Sequence, residues 1–396
     1  MEKYSISIIG AGMSGLLAGI AAQKEGHRVK IYEQAEKLTN IGGGLLLYPN
    51  GVRVLKSLGM EKEIDQMDPN LEHYRMLDQN HETIIQGSFL EFSYITGGRI
   101  VPVVRSDLQQ LLANHLEPGT IQLKRKFKSL VQDHHGISVF FNDGSEIRAD
   151  ILIGADGNKS QVRSQLFGNI KLEYQDICFW GGVLDGLQDA SLPENTLNLF
   201  LGHNRLGMNF PTASNTKCWY AGVRFSELNL EKNSDKISFL RRYDQDWNKS
   251  MLGAIESPTS SHNFEEKVFR LPDLESWHYE RTVLIGDAAH AMGPTAGLGI
   301  SSAFEDALIL IRSLSSKLHW SHAFRCYESI RKPANEIFQA VELEQTRVKI
   351  SAKHEVMEQR KEFYTRSTVT DIYKPLYPII RKEALNENME IASAVE

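Results

Sequence analysis

The sequence predicts an α/β fold: a Rossmann-like dinucleotide-binding domain, interrupted by an inserted, mainly antiparallel β-sheet and followed by C-terminal helices. Three observations predict it. The apolar run "YSISII" (4–9) leads into the glycine pattern "GAGMSG" and then into a helical stretch. Two later runs, "ADILIGADG" and "RTVLIGD", likewise end in glycine and aspartate just ahead of helical patterns. Residues 171–272 lie between those two runs and change to alternating, aromatic-rich segments such as "ICFWGGVLDGL" and "KCWYAGVRFSEL". Strands alternating with helices indicate a parallel sheet, whereas apolar–polar alternation indicates an antiparallel one.

A chain of 396 residues suggests two or three domains. Hydrophobic residues at 41% and charged residues at 24% are ordinary for a soluble globular protein. A formal charge of −6 gives no reason to expect nucleic acid or an anionic membrane as partner. Cys178, Cys218 and Cys326 stand far apart with no CxxC pair, so neither a metal site nor a disulfide framework is expected, and a cytoplasmic location fits. The apolar stretch 6–22 lacks the basic flank of a signal peptide and the length of a membrane span.

Taken in order, the first unit is strand, glycine loop, helix (Met13 to about Glu25), strand (27–33) and acid. Gly10 makes the tight turn, Gly12 lets backbone approach a pyrophosphate, and Gly15 lets the helix pack on the strand. Ala11, Met13 and Ser14 complete the loop, and the helix N-terminus offers N–H donors to phosphate. Glu33 follows at about the twenty-residue spacing of an acid that accepts ribose hydroxyls. This pattern does not separate FAD from NAD, but the acid disfavours a 2′-phosphate at this site.

Three glycines (42–44) then lead to an extended run, and Pro49-Asn50 opens a helix with Val52, Leu55 and Leu58 on one face. Arg105 sits at a strand-to-helix junction suited to a phosphate, with Ser106 as the expected N-cap. Residues 120–150 read as a β-meander turning at Asp143-Gly144. Asp156 closes a strand predicted to be parallel, where ligands of open α/β sheets bind. Segment 73–89 is expected to add strands to the inserted sheet. Its aromatic residues are mostly core, with one face free to wall a pocket.

The stretch "VLIGDAAHAMGPTAGLGISSAFEDALIL" (283–310) joins a strand to a helix whose buried face is Ile300, Ala303, Phe304, Ala307, Ile311 and Leu314. Its small residues let a flat ligand lie against backbone, and Asp287 can accept hydrogen bonds from hydroxyls.

"GAGMSG", "IGADGNKSQVR" and "LIGDAAHAMGPTAGLG", in this order and spacing, resemble the single-component FAD-dependent aromatic hydroxylases. This p-hydroxybenzoate hydroxylase-like family includes salicylate hydroxylases, urate hydroxylases and tetracycline-modifying enzymes. "YPNGVRVLKSLGM" and "AFRCYESIRKPANEIFQ" are similar to the family as well, so the resemblance runs from about residue 3 to 340.

The resemblance implies an FAD-dependent monooxygenase that takes electrons from a transiently bound NADPH or NADH. It would use dioxygen to hydroxylate a small aromatic or other electron-rich substrate. The implied cofactor contacts are Gly10, Ala11, Gly12, Met13, Ser14, Gly15, Glu33, Gly43, Arg105, Phe127, Asp156, Asp287, Gly297 and Gly299. Pro294, Thr295, Gly297, Leu298 and Gly299 would line the flavin ring, and no catalytic base is named. His290 belongs to the motif without a catalytic role. Tyr48, Arg205, Met208, Phe210, Trp219 and Pro294 are the expected substrate contacts. Leu298 and Ser301 stand where the family commonly has Gln and Asn.

The expected FAD-binding domain comprises 1–72, 98–170 and 271–340, the substrate domain 73–97 and 171–270, and a C-terminal helical segment 341–396. Either a monomer or a homodimer fits. A reductase on the same fold and a non-enzymatic FAD-binding regulator are the rival readings. The WxWxIP signature of a halogenase is absent.

Overall fold

The structure is a computed structural model that describes residues 3–38, 42–80, 82–185, 194–213, 215–224, 226, 260–316, 318–351, 353–381, 383, 384, 386, 387 and 390. Parts of the expected substrate domain (186–193 and 227–259) and most of 382–396 lie outside the described residues.

A six-stranded sheet forms the first layer, in the order His278–Tyr279, Thr282–Leu284, Ile151–Gly154, Ser5–Ile9, Arg28–Tyr32, Ile121–Gln122. All its pairings are parallel except that of the first two strands. The chain leaves Ser5–Ile9 toward one edge and later fills the other side from Ile151–Gly154. Order therefore reverses between these two strands, which opens a crevice at their carboxyl ends.

Helix Met13–Lys24 has no polar stripe and buries nine of its residues, because it lies between the sheet and helix Gly299–Leu314. A Cβ on Gly15 would sit 2.1 Å from the Gly10 carbonyl oxygen, so helix and loop meet through bare backbone. The apolar segment 6–22 is thus core strand plus core helix. Among the described residues, no helix is long and apolar enough to cross a membrane.

Seven strands make the second sheet: Ser260–Arg270, Glu173–Asp185, Thr216–Arg224, Arg205–Thr212, Thr196–Gly202, His73–Leu77 and Thr83–Ser88. Only Thr196–Gly202 with His73–Leu77 is parallel. The meander appears as Phe127–Asp133, Gly136–Phe141 and Glu146–Ala149, turning at Asp143-Gly144 as expected. Ile121–Gln122 instead joins the first sheet.

The expected N-cap at Ser106 is displaced. The antiparallel pairing of Gly44–Leu47 with Val101–Val104 runs directly into helix Arg105–Asn114, so Val104 holds the cap position. The Ser106 hydroxyl turns to the Asp107 carboxylate instead.

Helices beyond residue 340 pack on the second sheet. Val369–Tyr373 lies against Thr83–Ser88 and Leu90–Thr96, and Tyr373 joins a ring cluster with Tyr48, Tyr74, Phe89 and Phe92.

Candidate active site

A cavity of about 330 Å³ runs from the crevice of the parallel sheet to the face of the antiparallel one. Gly12, Met13 and Ser14 line it at one end, together with Ala155, Gly157 and Asn158 from the opposite lip of the crevice. A Cβ added to Gly12 would meet nothing within 4 Å, so the loop leaves open space beside its backbone. Glu33 braces this loop. Its two carboxylate oxygens accept the N–H groups of Ala11 and Ala35, both at 2.9 Å.

The middle of the cavity carries charge. Arg105 and Asp287 line it with Glu266. Burial raises the Asp287 carboxyl above its ordinary value, while His290 and Arg105 oppose the shift. By area the Asp287 side chain is exposed, but it lines the cavity deep among protein atoms, so burial sets its chemistry. Glu266 is likewise raised by burial and drawn back by Arg105.

Asp287 opens the short helix Asp287–His290, and a buried network fixes that turn. The Asp306 carboxylate accepts the Gly286 N–H at 3.0 Å and pairs with His290. Arg331, 1% exposed, bridges Asp306 and Glu305 at 2.9 Å each. Burial alone would raise the Asp306 carboxyl, but His290 and Arg331 outweigh it and hold it at about 2. The His290 ring lies tilted against Trp277 and is not among the cavity-lining residues.

Gly293 through Gly297, with Gly299, Ile300 and Ala303, form the next wall. The N-terminus of helix Gly299–Leu314 therefore abuts the cavity and favours partial negative charge there. This wall is anchored from a distance. Glu342, 3% exposed on helix Trp320–Lys349, accepts the N–H groups of Thr295 at 3.0 Å and Ala296 at 2.6 Å. Thr346 donates its hydroxyl to Glu342 at 2.9 Å. From the other side the Tyr48 hydroxyl donates to the Ala296 carbonyl at 2.9 Å.

Strand periodicity decides which sheet residues reach the cavity. Leu206, Met208 and Phe210 line it, and Tyr220 opposite Met208 does too. Arg205 and Trp219, expected as substrate contacts, fall on the alternate positions and are not among the residues that line it. Tyr48, Met208, Phe210 and Pro294 do line it.

Of the expected cofactor contacts, Gly12, Met13, Ser14, Arg105, Asp287, Gly297 and Gly299 line the cavity. Gly10, Ala11, Gly15 and Glu33 shape the loop behind it. Gly43 accepts the Arg105 N–H at 3.0 Å. Phe127 is a core residue paired with Phe141 in the meander and is not among the lining residues. Asp156 turns its carboxylate to Ser160, Gln161 and Val162, capping helix Gln161–Phe167, while its neighbours do the lining.

Leu298 is packed into the apolar core beside the wall and is not a lining residue, although Thr295, expected with it, is. Ser301 accepts the Tyr48 N–H at 3.0 Å, and a Cβ on Gly51 would meet its hydroxyl at 2.6 Å. Both departures from the family pattern therefore serve packing. Glu342, Gln345, Lys349 and Tyr373 were not foreseen. No motif marks them, and only a polar face on an otherwise core-packed helix could have hinted at the first three.

The residues present fit FAD. A glycine loop with free space at Gly12, a braced acid at Glu33, and a cavity passing an aspartate to a backbone-lined wall match a dinucleotide end, a hydroxylated chain and a flat ring.

Comparison with known proteins agrees. The chain is 27% identical over 327 residues to the aurachin C monooxygenase/isomerase of Stigmatella aurantiaca, covering 83% of this chain and 85% of that one. It is 26% identical over 332 residues to the FAD-dependent urate hydroxylase of Klebsiella pneumoniae, covering 82% and 85% respectively. Klebsiella pneumoniae HpxO, solved with FAD and uric acid, superposes with a TM-score of 0.88 at 23% identity over 95% of this chain and 96% of that one. The family described as FAD binding domain matches residues 3–341, and with that match, the relatives' shared chemistry and the cavity's design, the chain belongs to the FAD-binding domain family and is a flavoprotein monooxygenase.

Proposed function

We propose that this chain hydroxylates a small, largely flat aromatic or heteroaromatic compound, using NAD(P)H as electron donor and dioxygen as the source of the inserted atom. The observation that carries this reading is the single cavity joining the glycine loop to the apolar face of the second sheet. Bound FAD would supply the redox chemistry, accepting hydride and activating dioxygen.

The protein's own residues do the rest. Gly12, Met13 and Ser14 pass the pyrophosphate, with Glu33 bracing the loop behind them. Asp287 takes hydroxyls of the chain between phosphate and ring. The wall from Gly293 to Gly299 supports the ring's edge with backbone, and the helix behind it stabilises negative charge. Leu197, Leu199, Leu206, Met208 and Phe210 cover the substrate and keep water out. Tyr48 binds the wall at Ala296 and lines the cavity, so it orients wall and substrate together.

The test is a screen of phenols, aromatic acids and N-heterocycles for stimulated NAD(P)H oxidation by FAD-loaded protein, followed by turnover under labelled dioxygen. Product with one labelled oxygen atom is expected. Equal turnover without oxygen would move the chain to the reductases. Absence of any stimulated oxidation, with FAD bound, would favour the regulator.

A further inference from the structure

Helix Trp320–Lys349 ends in a feature that neither cofactor binding nor packing accounts for. Lys349 is 7% exposed and lines the cavity, and so does Gln345 one helical turn earlier. Among the described residues the Lys349 ammonium has no hydrogen bond or ion pair. The Gln345 side-chain carbonyl is also buried without a partner. An ammonium on the cavity lining that meets no protein acceptor is available to an anion brought into the cavity.

The ordinary role of such a lysine is to satisfy carbonyls at a helix C-terminus. Here that role is taken. Arg360 donates to the carbonyls of Val348 at 3.3 Å and Lys349 at 3.2 Å, and Arg224 donates to that of Ile350 at 2.9 Å. Partnership with Glu342, two turns earlier, is the other ordinary role. Glu342 attracts Lys349 through space, but its oxygens already accept Thr295, Ala296 and Thr346. Charge in the middle of the cavity is balanced differently, since Arg105 faces both Asp287 and Glu266. Lys267 also lines the cavity and already has a partner. Burial lowers the Lys349 ammonium to about 8 against the pull of Glu342, so it stays mostly charged at neutral pH.

Resting on the monooxygenase reading, we propose that Lys349 and Gln345 recognise an anionic oxygen on the substrate: a carboxylate, phenolate or enolate on the ring compound. Lys349 supplies the charge, and Gln345 accepts from or donates to a neighbouring ring N–H or carbonyl. The substrate class is then a ring compound ionised at neutral pH, held by its anionic edge at the C-terminal helix.

The test uses FAD-loaded enzyme and reads binding through the change in flavin absorbance, without turnover. Probes come in pairs of matched shape: 4-hydroxybenzoate with 4-hydroxybenzamide, 6-hydroxynicotinate with 6-hydroxynicotinamide, and 4-hydroxyquinoline-2-carboxylate with its carboxamide. In the wild type the anionic member of at least one pair should bind tenfold or more tightly than its amide. Lys349→Met and Lys349→Gln should bring that ratio to within about twofold of unity, and Lys349→Arg should keep most of it. FAD content and flavin reduction potential should not move.

No anionic preference in any wild-type pair overturns the proposal, as does a preference that survives both neutral substitutions. A shifted flavin potential with the preference intact overturns it too, because the cation would then belong to the flavin. The monooxygenase reading fails separately, on unlabelled product or oxygen-independent turnover, and these binding ratios do not depend on it.

Discussion

The two ends of the cavity are built by different means. At the crevice end, contiguous backbone does the work: the six residues of "GAGMSG" turn, approach and pack within one strand–helix connection, and Glu33 closes the unit from the next strand. The ring-and-substrate end has no such local unit. Its wall at 293–297 is pinned by Glu342, its aspartate is placed through Asp306 and Arg331, and its apolar cover comes from a separate sheet. Backbone built locally tolerates change far away. A wall held by remote side chains has its precision spread over the chain and is the more vulnerable end.

The most severe way to break the contrast is Arg331→Leu. Removing the guanidinium takes the salt bridge from buried Glu305 and leaves Asp306 with His290, a loss of about 3–5 kcal/mol. Urea denaturation should show it, and a change under about 1 kcal/mol would mean the network does not support the turn at Asp287.

Glu342 offers a pH signature. Burial raises its carboxyl from 4.5 to about 7, so between those values the folded chain holds a proton that the unfolded chain has released. Stability therefore falls as pH rises through that window, by up to about 3 kcal/mol. Lys349 acts in the opposite sense at higher pH. Its ammonium is lowered from 10.5 to about 8, and between 8 and 10.5 the unfolded chain holds the extra proton, so stability rises. Melting curves across pH should show the falling limb in the wild type and its loss in Glu342→Gln. An identical profile in the two proteins would contradict the assignment of that limb to Glu342.

Asp287→Ala tests the cavity's middle. A lost hydrogen bond to a charged group is worth about 1.5–3 kcal/mol, so FAD should bind roughly ten- to hundredfold more weakly while the fold persists. Fluorescence titration of apoprotein measures this, and unchanged affinity would remove Asp287 from the cofactor site. The smallest effect sharpens the comparison most. With nothing within 4 Å of its would-be Cβ, Gly12→Ala should leave stability within about 0.5 kcal/mol yet weaken FAD binding, because the methyl occupies the phosphate's space. A large stability loss would show that Gly12 is a packing glycine after all.

Much of the fold was legible. The observed strand Ser5–Ile9, helix Met13–Lys24 and strand Arg28–Tyr32 lie within a residue or so of the spans expected from apolar runs and glycine punctuation. The hairpin at Asp143-Gly144 and the antiparallel character of the inserted sheet followed from turn chemistry and alternation. Identity of type was readable, but facing was not. Asp156 has the right residue type at a strand end, yet its carboxylate is claimed by the helix it precedes. Phe127 was expected at the cofactor and belongs to the meander's core. Arg205 and Trp219 sit in the right strands, one position out of phase with the cavity, and a single-residue offset in a strand reverses the side chain's face.

By itself the sequence determined the parts whose physics is local: the glycine loop and its acid, the strand-to-helix turns ending in Gly-Asp, and hence the dinucleotide end of the site and the family. Tertiary structure alone decided that the last turns of helix Trp320–Lys349 close the other end. Glu342 reaches the wall across 46 residues of chain and Lys349 enters the cavity beside it. Their charge, burial and partners come from how the helix lies against the loop and the second sheet. A helix repeats its own positions every few residues but carries no mark of what faces them, so convergence of this kind leaves no local period to read.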